Sequence, residues 1–266
     1  MMKTILFAFL LSFIAFVPIA HARVDLVPRI VVMQDRDRAA EMTVLNLSNE
    51  TRDVEIDILD YRQLPPAGNY ESLTTLLNPD FNHADIVRFS PRTFVLGPLG
   101  KQKVRISLRK PADLPEGEYR FHPRALSYPH NPKKAEAGDR MRVQVGMNVG
   151  IAIPVIVRNG DLKVESKLSD FELLSPQQAN MNKPALKFIA HREGTASSIG
   201  EIHIQWAKEG TDFQEIGILT NFNVFTELTE RVAIVPLSAF PTSGTMKVTY
   251  TDSVTGKIYD EIIFDL

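Results

Sequence analysis

The feature that most restricts the fold of this 266-residue chain is an alternating stretch from Arg140 to Arg158, RMRVQVGMNVGIAIPVIVR. Its odd-numbered positions are all apolar from 141 to 157: Met141, Val143, Val145, Met147, Val149, Ile151, Ile153, Val155 and Val157. A period of two residues predicts one extended β-strand with a single apolar face. Such a strand would be on the order of 60 Å long, whereas usual strands have about 5–6 residues. A small domain does not need so long a strand for its own core, so part of this face is expected to cover something else.

The two halves of this strand are predicted to do different things. Residues 151–157 are expected to face the core of their own domain. Residues 141–149 are expected to be lent to a partner, because they follow a polar loop and because Gly146 and Gly150 would weaken an internal strand. A free strand edge can pair with the main chain of another polypeptide while alternate side chains fill pockets. The alternative, in which the whole apolar face lies in its own core, stays open at this point.

The rest of the sequence indicates an all-β protein with two domains. Short alternating runs separated by turn residues predict strands at 29–32, 42–47, 54–59, 86–89, 93–96, 104–108, 119–126, 186–190, 202–206, 224–228, 231–235, 246–250 and 258–264. One short helix is expected near 72–77. Many short strands at this spacing are typical of a β-sandwich or barrel. Because Asn159-Gly160 interrupts the pattern, we place a first domain at 23–158 and a second at 159–266.

The first 22 residues are predicted to be a secretory signal peptide. Lys3 precedes an apolar stretch from Ile5 to Ala20, and Ala20-His21-Ala22 is a small-x-small cleavage pattern. A membrane anchor is the alternative, but the stretch is short for a span of ~20 residues and contains Pro18. The chain is therefore expected to be exported with cleavage after Ala22, without stable insertion in a membrane.

The chemistry of the side chains favours a binding protein over an enzyme. The formal net charge of −2 argues against nucleic acid or an anionic membrane as the main partner. There is no cysteine, the six histidines show no zinc-ligand spacing, and no phosphate loop or nucleophile elbow occurs. The sequence thus predicts no catalytic residue, no metal and no cofactor. An exported hydrolase or sugar-binding module is the weakest alternative, since a single Trp206 is more often a core residue than a sugar platform.

Four segments within Val24 to Gly160 carry a family pattern: PRIVVMQDRDRAAEMTVLNLSNE, FSPRTFVLGPLGKQKVRISL, LPEGEYRFHPRALSYP and VGIAIPVIVRNG. In this order they resemble the PapD-like periplasmic chaperones of the chaperone–usher pathway, and the resemblance is weak over the second half. It implies two immunoglobulin-like β-sandwich domains in an L-shaped, or boomerang, arrangement. It also implies a periplasmic chaperone that binds pilus subunits by donor-strand complementation and delivers them to an outer-membrane usher.

The resemblance assigns the subunit-binding residues. Val145, Met147 and Val149 match the donor positions of the family, and Met141 and Val143 extend them. Burying three to five such side chains would stabilise a complex by roughly 1.5–3 kcal/mol each.

The resemblance also assigns charged residues near the domain boundary. Arg29 matches an arginine that anchors the C-terminal carboxylate of the subunit, for which a guanidinium fork is well suited. Pro154 stands where the family has a second anchor, a lysine. Glu118, Arg158 and Asp252 match a charge network that fixes the angle between the domains.

The missing lysine keeps a second function open. This is a divergent PapD-like envelope interaction or scaffold protein outside a pilus pathway, and genes for an usher and small β subunits beside this one would argue against it. The sequence names no particular subunit, fibre or usher. It leaves undecided whether the free protein forms a self-capping oligomer through its donor strand.

Overall fold

The computed structural model describes residues 24–130 and 148–266, and these form an all-β protein. The strands of the first half are β1 Val24–Val27, β2 Val31–Met33, β3 Ala39–Asn46, β4 Arg52–Leu64, β5 Asn69–Leu73, β6 Val87–Ser90, β7 Thr93–Leu96, β8 Lys101–Leu108, β9 Gly117–Pro129, β10 Val149–Ala152 and β11 Val155–Asn159. Those of the second half are β12 Val164–Leu174, β13 Ala185–Gly194, β14 Ser198–Ala207, β15 Gln214–Val224, β16 Glu230–Pro236, β17 Thr245–Asp252 and β18 Ile258–Asp265. Two single-turn helices, α1 His83–Ile86 and α2 Pro176–Ala179, complete the described elements.

The strands of the first half form a sandwich of two sheets. One sheet has the order β1-β3-β8-β6. The other has the order β2-β11-β9-β4-β5, with β10 also paired to β9 and β7 to β4. The alternating apolar side chains of both sheets meet between them, as in Met42 and Val44 of β3 and Val104 and Ile106 of β8, all of which are buried.

The start of the chain crosses from one sheet to the other. β1 pairs antiparallel with β3 in the first sheet, and β2 pairs parallel with β11 in the second. The crossing lies between them and contains Pro28, which follows Val27 through a cis peptide bond. The crossing sets β2 beside the second half of the alternating stretch.

The second half forms another two-sheet sandwich with its own core. Its sheets have the orders β12-β13-β16 and β15-β14-β17-β18. Aromatic side chains dominate the space between them, with Phe188, Phe222 and Tyr250 fully buried. The all-β, two-sandwich fold expected from the sequence is therefore confirmed.

The two sandwiches meet at a small apolar cluster on the outer face of β11. Ile156 of β11 is fully buried there against Ile199 and Phe225 of the second sandwich, with Ile30 and Val32 packed around them. The β4–β5 hairpin also reaches across, because Pro66 accepts a hydrogen bond from the backbone of Val232 at 2.7 Å. The interface thus joins β11 and the hairpin to the second sandwich.

Two of the elements predicted from the sequence are wrong. The helix expected at 72–77 is not formed, because the chain there leaves β5, which pairs with β4, and the helical turn lies later, at α1. Of the strand expected at 224–228, only Val224 lies in a strand, as the last residue of β15, and the rest is a turn in which the N–H of Leu228 bonds to the carbonyl of Phe225 at 2.9 Å. Phe225 packs at the interface between the sandwiches. An apolar residue buried in this way has the same sequence signal as a strand residue.

Candidate binding site

β10 and β11 are two parts of one strand that runs beside β9. Val149 pairs with Ser127 and Val155 pairs with Phe121, so both parts keep the same register. The regular ladder is interrupted between them, where Pro154 lacks an N–H and Ile153 donates to the carbonyl of Pro123 at 3.2 Å. The described part of the alternating stretch is thus one extended segment over 149–159.

The two parts of this strand differ at their other edge. β11 is covered by β2, with Val31 paired to Val155 and the N–H of Val31 donating to the carbonyl of Pro154 at 3.0 Å. Among the described strands, β10 pairs with β9 alone. Since Ile153 bonds to β9, the alternation of an antiparallel ladder turns the backbone groups of Gly150 and Ala152 away from β9. Among the described strands, β10 therefore has a free edge on the side away from β9.

The odd-numbered side chains of the described segment point into the core of the first sandwich. Ile153, Val155 and Val157 are buried in that core, and Ile151 packs against it while partly exposed. This confirms the expectation for residues 151–157. Val149 is half-buried at the end of the same face. The other predicted donor residues, Met141, Val143, Val145 and Met147, lie outside the described residues, as does the predicted signal peptide.

Arg29 lies in the crossing between β1 and β2 and holds a carboxylate of its own chain. Its Nη1 and Nη2 bond to the two carboxylate oxygens of Asp25 at 2.5 and 2.8 Å. The Arg29 side chain is 47% exposed, and that of Asp25 is 10% exposed. Both ends of the guanidinium fork are therefore engaged within the chain.

A cleft of about 410 Å³ opens beside Arg29, between the first sandwich and β15. Its walls include Ala152 and Pro154 of the alternating segment, Tyr61 and Tyr70 of the β4–β5 hairpin, His122 of β9, and Asn223. The family resemblance assigns the positions of Arg29 and Pro154 to a carboxylate anchor, and both residues border this cleft. The same segment forms the free edge at β10 and a wall of the cleft.

His122 is buried in the wall of the cleft without a hydrogen-bond partner for either ring nitrogen. The rings of Tyr61 and Tyr70 meet it edge-on, with centroid distances of 5.2 and 5.9 Å. Burial and the positive charge of nearby Arg120 lower the pKa of His122 to about 3. The imidazole is therefore neutral at physiological pH and offers one N–H donor and one acceptor nitrogen.

The structure brings Glu118 and Arg158 together at the boundary between the sandwiches. Arg158 Nε donates to Glu118 Oε2 at 3.1 Å, and Arg158 Nη2 donates to the carbonyl of Ser197 at 3.0 Å. The backbone N–H and hydroxyl of Ser197 both donate to Glu118. The third residue of the predicted network, Asp252, uses its carboxylate to accept from Val254 and Thr255 in its own turn. Ser197 thus occupies a place in this network that the sequence did not suggest.

A second charged contact across the interface was missed by the sequence analysis. Arg120 of β9 binds Glu227, with Nη2 to Oε1 at 2.5 Å and Nη1 to Oε2 at 3.1 Å, and its guanidinium lies 3.8 Å from the Phe225 ring centroid. Gln63 adds bonds to the backbone of Phe225 and Asn223. Arg120 alternates with apolar residues along β9, a pattern that predicts exposure to solvent. Only the docking of the second sandwich buries it, so no local signal could have revealed this contact.

Within residues 24–130 and 148–266, no helix has the length and apolar character needed to cross a bilayer. In the same ranges, no group of three or more His, Cys, Asp or Glu side chains is placed to hold a metal ion.

Comparison with known proteins gives distant structural likenesses only. No protein-family model and no curated protein matches the chain. The E. coli chaperone DraB is 15% identical, with 92% of this chain and 96% of that chain covered at a TM-score of 0.42. The periplasmic chaperone SfaE is 12% identical, with coverage of 91% and 98% and a TM-score of 0.42. The Salmonella enterica SafA pilin in complex with the SafB chaperone gives 13% identity, coverage of 92% and 96%, and a TM-score of 0.41. At this distance, the function has to be argued from the residues of this chain.

Proposed function

We propose that this protein is a periplasmic chaperone for the subunits of a pilus or related surface fibre. It binds a subunit whose β-sandwich lacks a strand, and it lends the segment 141–149 to complete that sandwich. It then delivers the subunit to an outer-membrane usher. Cleavage of the signal peptide after Ala22 and export place it in the periplasm.

The observation that carries this proposal is the difference between β10 and β11. The two parts share one register on β9, but only β11 is covered on its other side by β2. The backbone groups of Gly150 and Ala152 therefore face a position that another strand can take. The sequence continues this edge backwards with the apolar alternation from Met141 to Val149, which supplies side chains for a partner.

Physical chemistry supports a strand donor at this position. Main-chain hydrogen bonds along the edge would give affinity, and alternate apolar side chains would give register and specificity. The register is fixed in advance because β11 is held between β9 and β2. The described edge at β10 is already extended, so its residues lose little conformational entropy when a partner pairs with them.

The charged residues near the boundary have supporting roles in this proposal. Glu118 and Arg158, bonded to Ser197, hold the two sandwiches in one arrangement, whereas the carboxylate of Asp252 accepts within its own turn. Arg29 stays a predicted contact for the end of the bound subunit. Its engagement by Asp25 means that an incoming carboxylate would have to share the guanidinium with an existing one.

That engagement also supports the alternative function, a divergent envelope interaction or scaffold protein. With Arg29 bound to Asp25 and Pro154 in place of a lysine, the described part of the cleft wall does not offer two free cations to a carboxylate. In this alternative the β10 edge would pair with a complete envelope protein rather than a strand-deficient subunit.

Co-expression with candidate subunits tests the proposal. The protein would be produced with small β-sandwich proteins encoded beside its gene, and one-to-one complexes would be isolated from the periplasm. Val145→Arg and Met147→Arg should abolish the complex without unfolding the chaperone. Gln144→Arg is the matched control, since the alternation of the sequence predicts that this side chain is on the opposite face from Val145 and Met147.

The outcomes separate the two functions. Loss of the complex with the two odd-position variants and its retention with Gln144→Arg would support strand donation. A complex that survives Val145→Arg and Met147→Arg would overturn the donor assignment. A complex that forms only with a complete envelope protein would favour the scaffold alternative.

A further inference from the structure

Two polar side chains that border the cleft are buried without partners. Neither Nδ1 nor Nε2 of His122 has a hydrogen-bond partner, and neither does Oδ1 of Asn223. His122 is 3% exposed and Asn223 is 4% exposed. Unpartnered buried polar atoms are costly, so two such residues on one cleft point to a ligand that satisfies them.

The cations in and behind the described cleft wall are engaged within the chain, and two of them are bound to carboxylates. Arg29 is the one ionised side chain in the cleft wall among the described residues, and it is bound to Asp25. Behind the wall, Arg120 is bound to Glu227. Arg231 donates to the carbonyls of Ala67 and Asn223 and lies over the ring of Phe222. A charged ligand would therefore find no free opposite charge in the wall.

The unpartnered hydrogen-bonding atoms of the cleft wall are complementary to those of an amide. Neutral His122 can donate through one nitrogen and accept through the other, and Asn223 Oδ1 can only accept. A carboxamide or peptide group has a carbonyl that accepts and an N–H that donates. A carboxylate can only accept, so it would leave Asn223 Oδ1 unpartnered and bring a negative charge towards Asp25.

We infer that this cleft binds a neutral peptide or carboxamide group, held by His122 and Asn223 between the rings of Tyr61 and Tyr70. The inference rests on the proposed function in one respect, namely that the group belongs to the polypeptide paired with β10. Ala152 connects the two places, because its backbone faces the free edge and its side chain borders the cleft. The Tyr70 side chain is 49% exposed and its ring lies 5.9 Å from that of His122, so rotation of this side chain would admit the group to His122.

A pair of small molecules of equal shape tests the specificity. Isobutyramide and isobutyrate differ only in the neutral amide and the carboxylate. Each is titrated into protein with isotope-labelled histidine and asparagine side chains, and the shifts of the His122 and Asn223 signals are followed by NMR. We expect isobutyramide to bind at least roughly tenfold more tightly than isobutyrate. Equal or tighter binding of isobutyrate, or no shift with isobutyramide up to its solubility limit, overturns the inference.

Variants identify the residues responsible. His122→Phe keeps an aromatic ring but removes both nitrogens, and Asn223→Leu removes the acceptor while keeping the branched shape of the side chain. Each is expected to lose isobutyramide binding, whereas His203→Phe, on the outer surface of β14 beside Glu215, is expected to keep it. Retained binding in both cleft variants, with circular dichroism showing that they are folded, contradicts the assignment.

The same variants separate this inference from the proposed function. If both are correct, His122→Phe weakens the complex with a subunit by roughly tenfold but does not abolish it, whereas Val145→Arg abolishes it. If no subunit binds but isobutyramide does, the cleft inference stands without the chaperone function. If subunits bind with unchanged affinity to His122→Phe and Asn223→Leu, the cleft does not take part in holding them.

Discussion

Glu118 and Arg158 are direct partners across the β9–β11 ladder, and Arg158 Nε donates to Glu118 Oε2 at 3.1 Å. The Glu118 side chain is 1% exposed and also accepts from the backbone N–H and hydroxyl of Ser197 in the second sandwich. One carboxylate thus satisfies donors from both sandwiches. Its removal leaves buried donors from both of them unpaired.

We expect Glu118→Ala to destabilise the protein by about 2–4 kcal/mol, because the buried donors of Arg158 and Ser197 lose their acceptor. Urea unfolding measures the free energy of unfolding. Glu41→Ala is the control, since Glu41 pairs with Lys103 on the surface and both side chains are well exposed. The control is expected to cost less than about 1 kcal/mol. Equal losses in the two variants would show that Glu118 does not join the sandwiches as described.

Glu227→Ala should be destabilising in a similar way. It leaves the Arg120 guanidinium, 3% exposed, buried without its carboxylate. Breaking a buried pair by removing one partner typically costs about 3–5 kcal/mol. The comparison is Glu172→Ala, which removes the exposed pair with Lys187. Thermal or urea unfolding should place Glu227→Ala well below that variant, and a loss under about 1 kcal/mol would contradict the role of the pair.

The stability of the protein should depend on pH through His122. Its folded pKa of about 3 lies below the ordinary value of 6.5, so the unfolded chain binds a proton that the folded protein does not between these values. Stability is therefore lost as the pH falls from about 6.5 towards 3. In His122→Phe this contribution is absent, and the slope of the free energy of unfolding between pH 6 and 4 should be smaller by up to about 1.4 kcal/mol per pH unit.

That slope is measured by urea unfolding at several pH values. An identical pH dependence in His122→Phe and the wild-type protein would mean that His122 is not buried in its neutral form.

Hydrogen exchange should show an alternation along β10 in the free protein. The amides of Ile151 and Ile153 point to β9, whereas those of Gly150 and Ala152 point away from it. We expect Gly150 and Ala152 to exchange at least about tenfold faster than their neighbours, and to slow when a subunit is bound. Slow exchange at Gly150 and Ala152 in dilute free protein would show that the edge is already covered.

The sequence predicts the strands best where the apolar alternation is regular, with one face of the strand in the core and the other in solvent. Thr93–Leu96 was predicted with the bounds of β7, and the core-facing residues Ile153, Val155 and Val157 were identified from their parity alone. The strict period of two leaves no other face for these side chains, so local pattern and tertiary structure agree.

The interface between the sandwiches was beyond what the sequence alone could predict. Ile156, Arg120 and His122 lie on the strand faces that the alternation assigns to solvent, and they are buried only because the second sandwich and the β4–β5 hairpin cover them. The sequence pattern predicts a strand at Phe225 because an apolar residue gives the same signal in a strand and in a turn that packs against another sandwich. Contacts between residues distant in sequence decide these positions, and a single sequence does not encode them as a local pattern.

The first residue of β2, Val31, sets a limit on any chain that pairs with β10. The N–H of Val31 already occupies the carbonyl of Pro154, so a guest strand has no bonding position beyond Ala152 in that direction. The guest must therefore stop at this point, whatever its total length. Two guest strands of different sequence would therefore end at the same residue of β10. A single residue inserted in β2 would shift that end point for both of them.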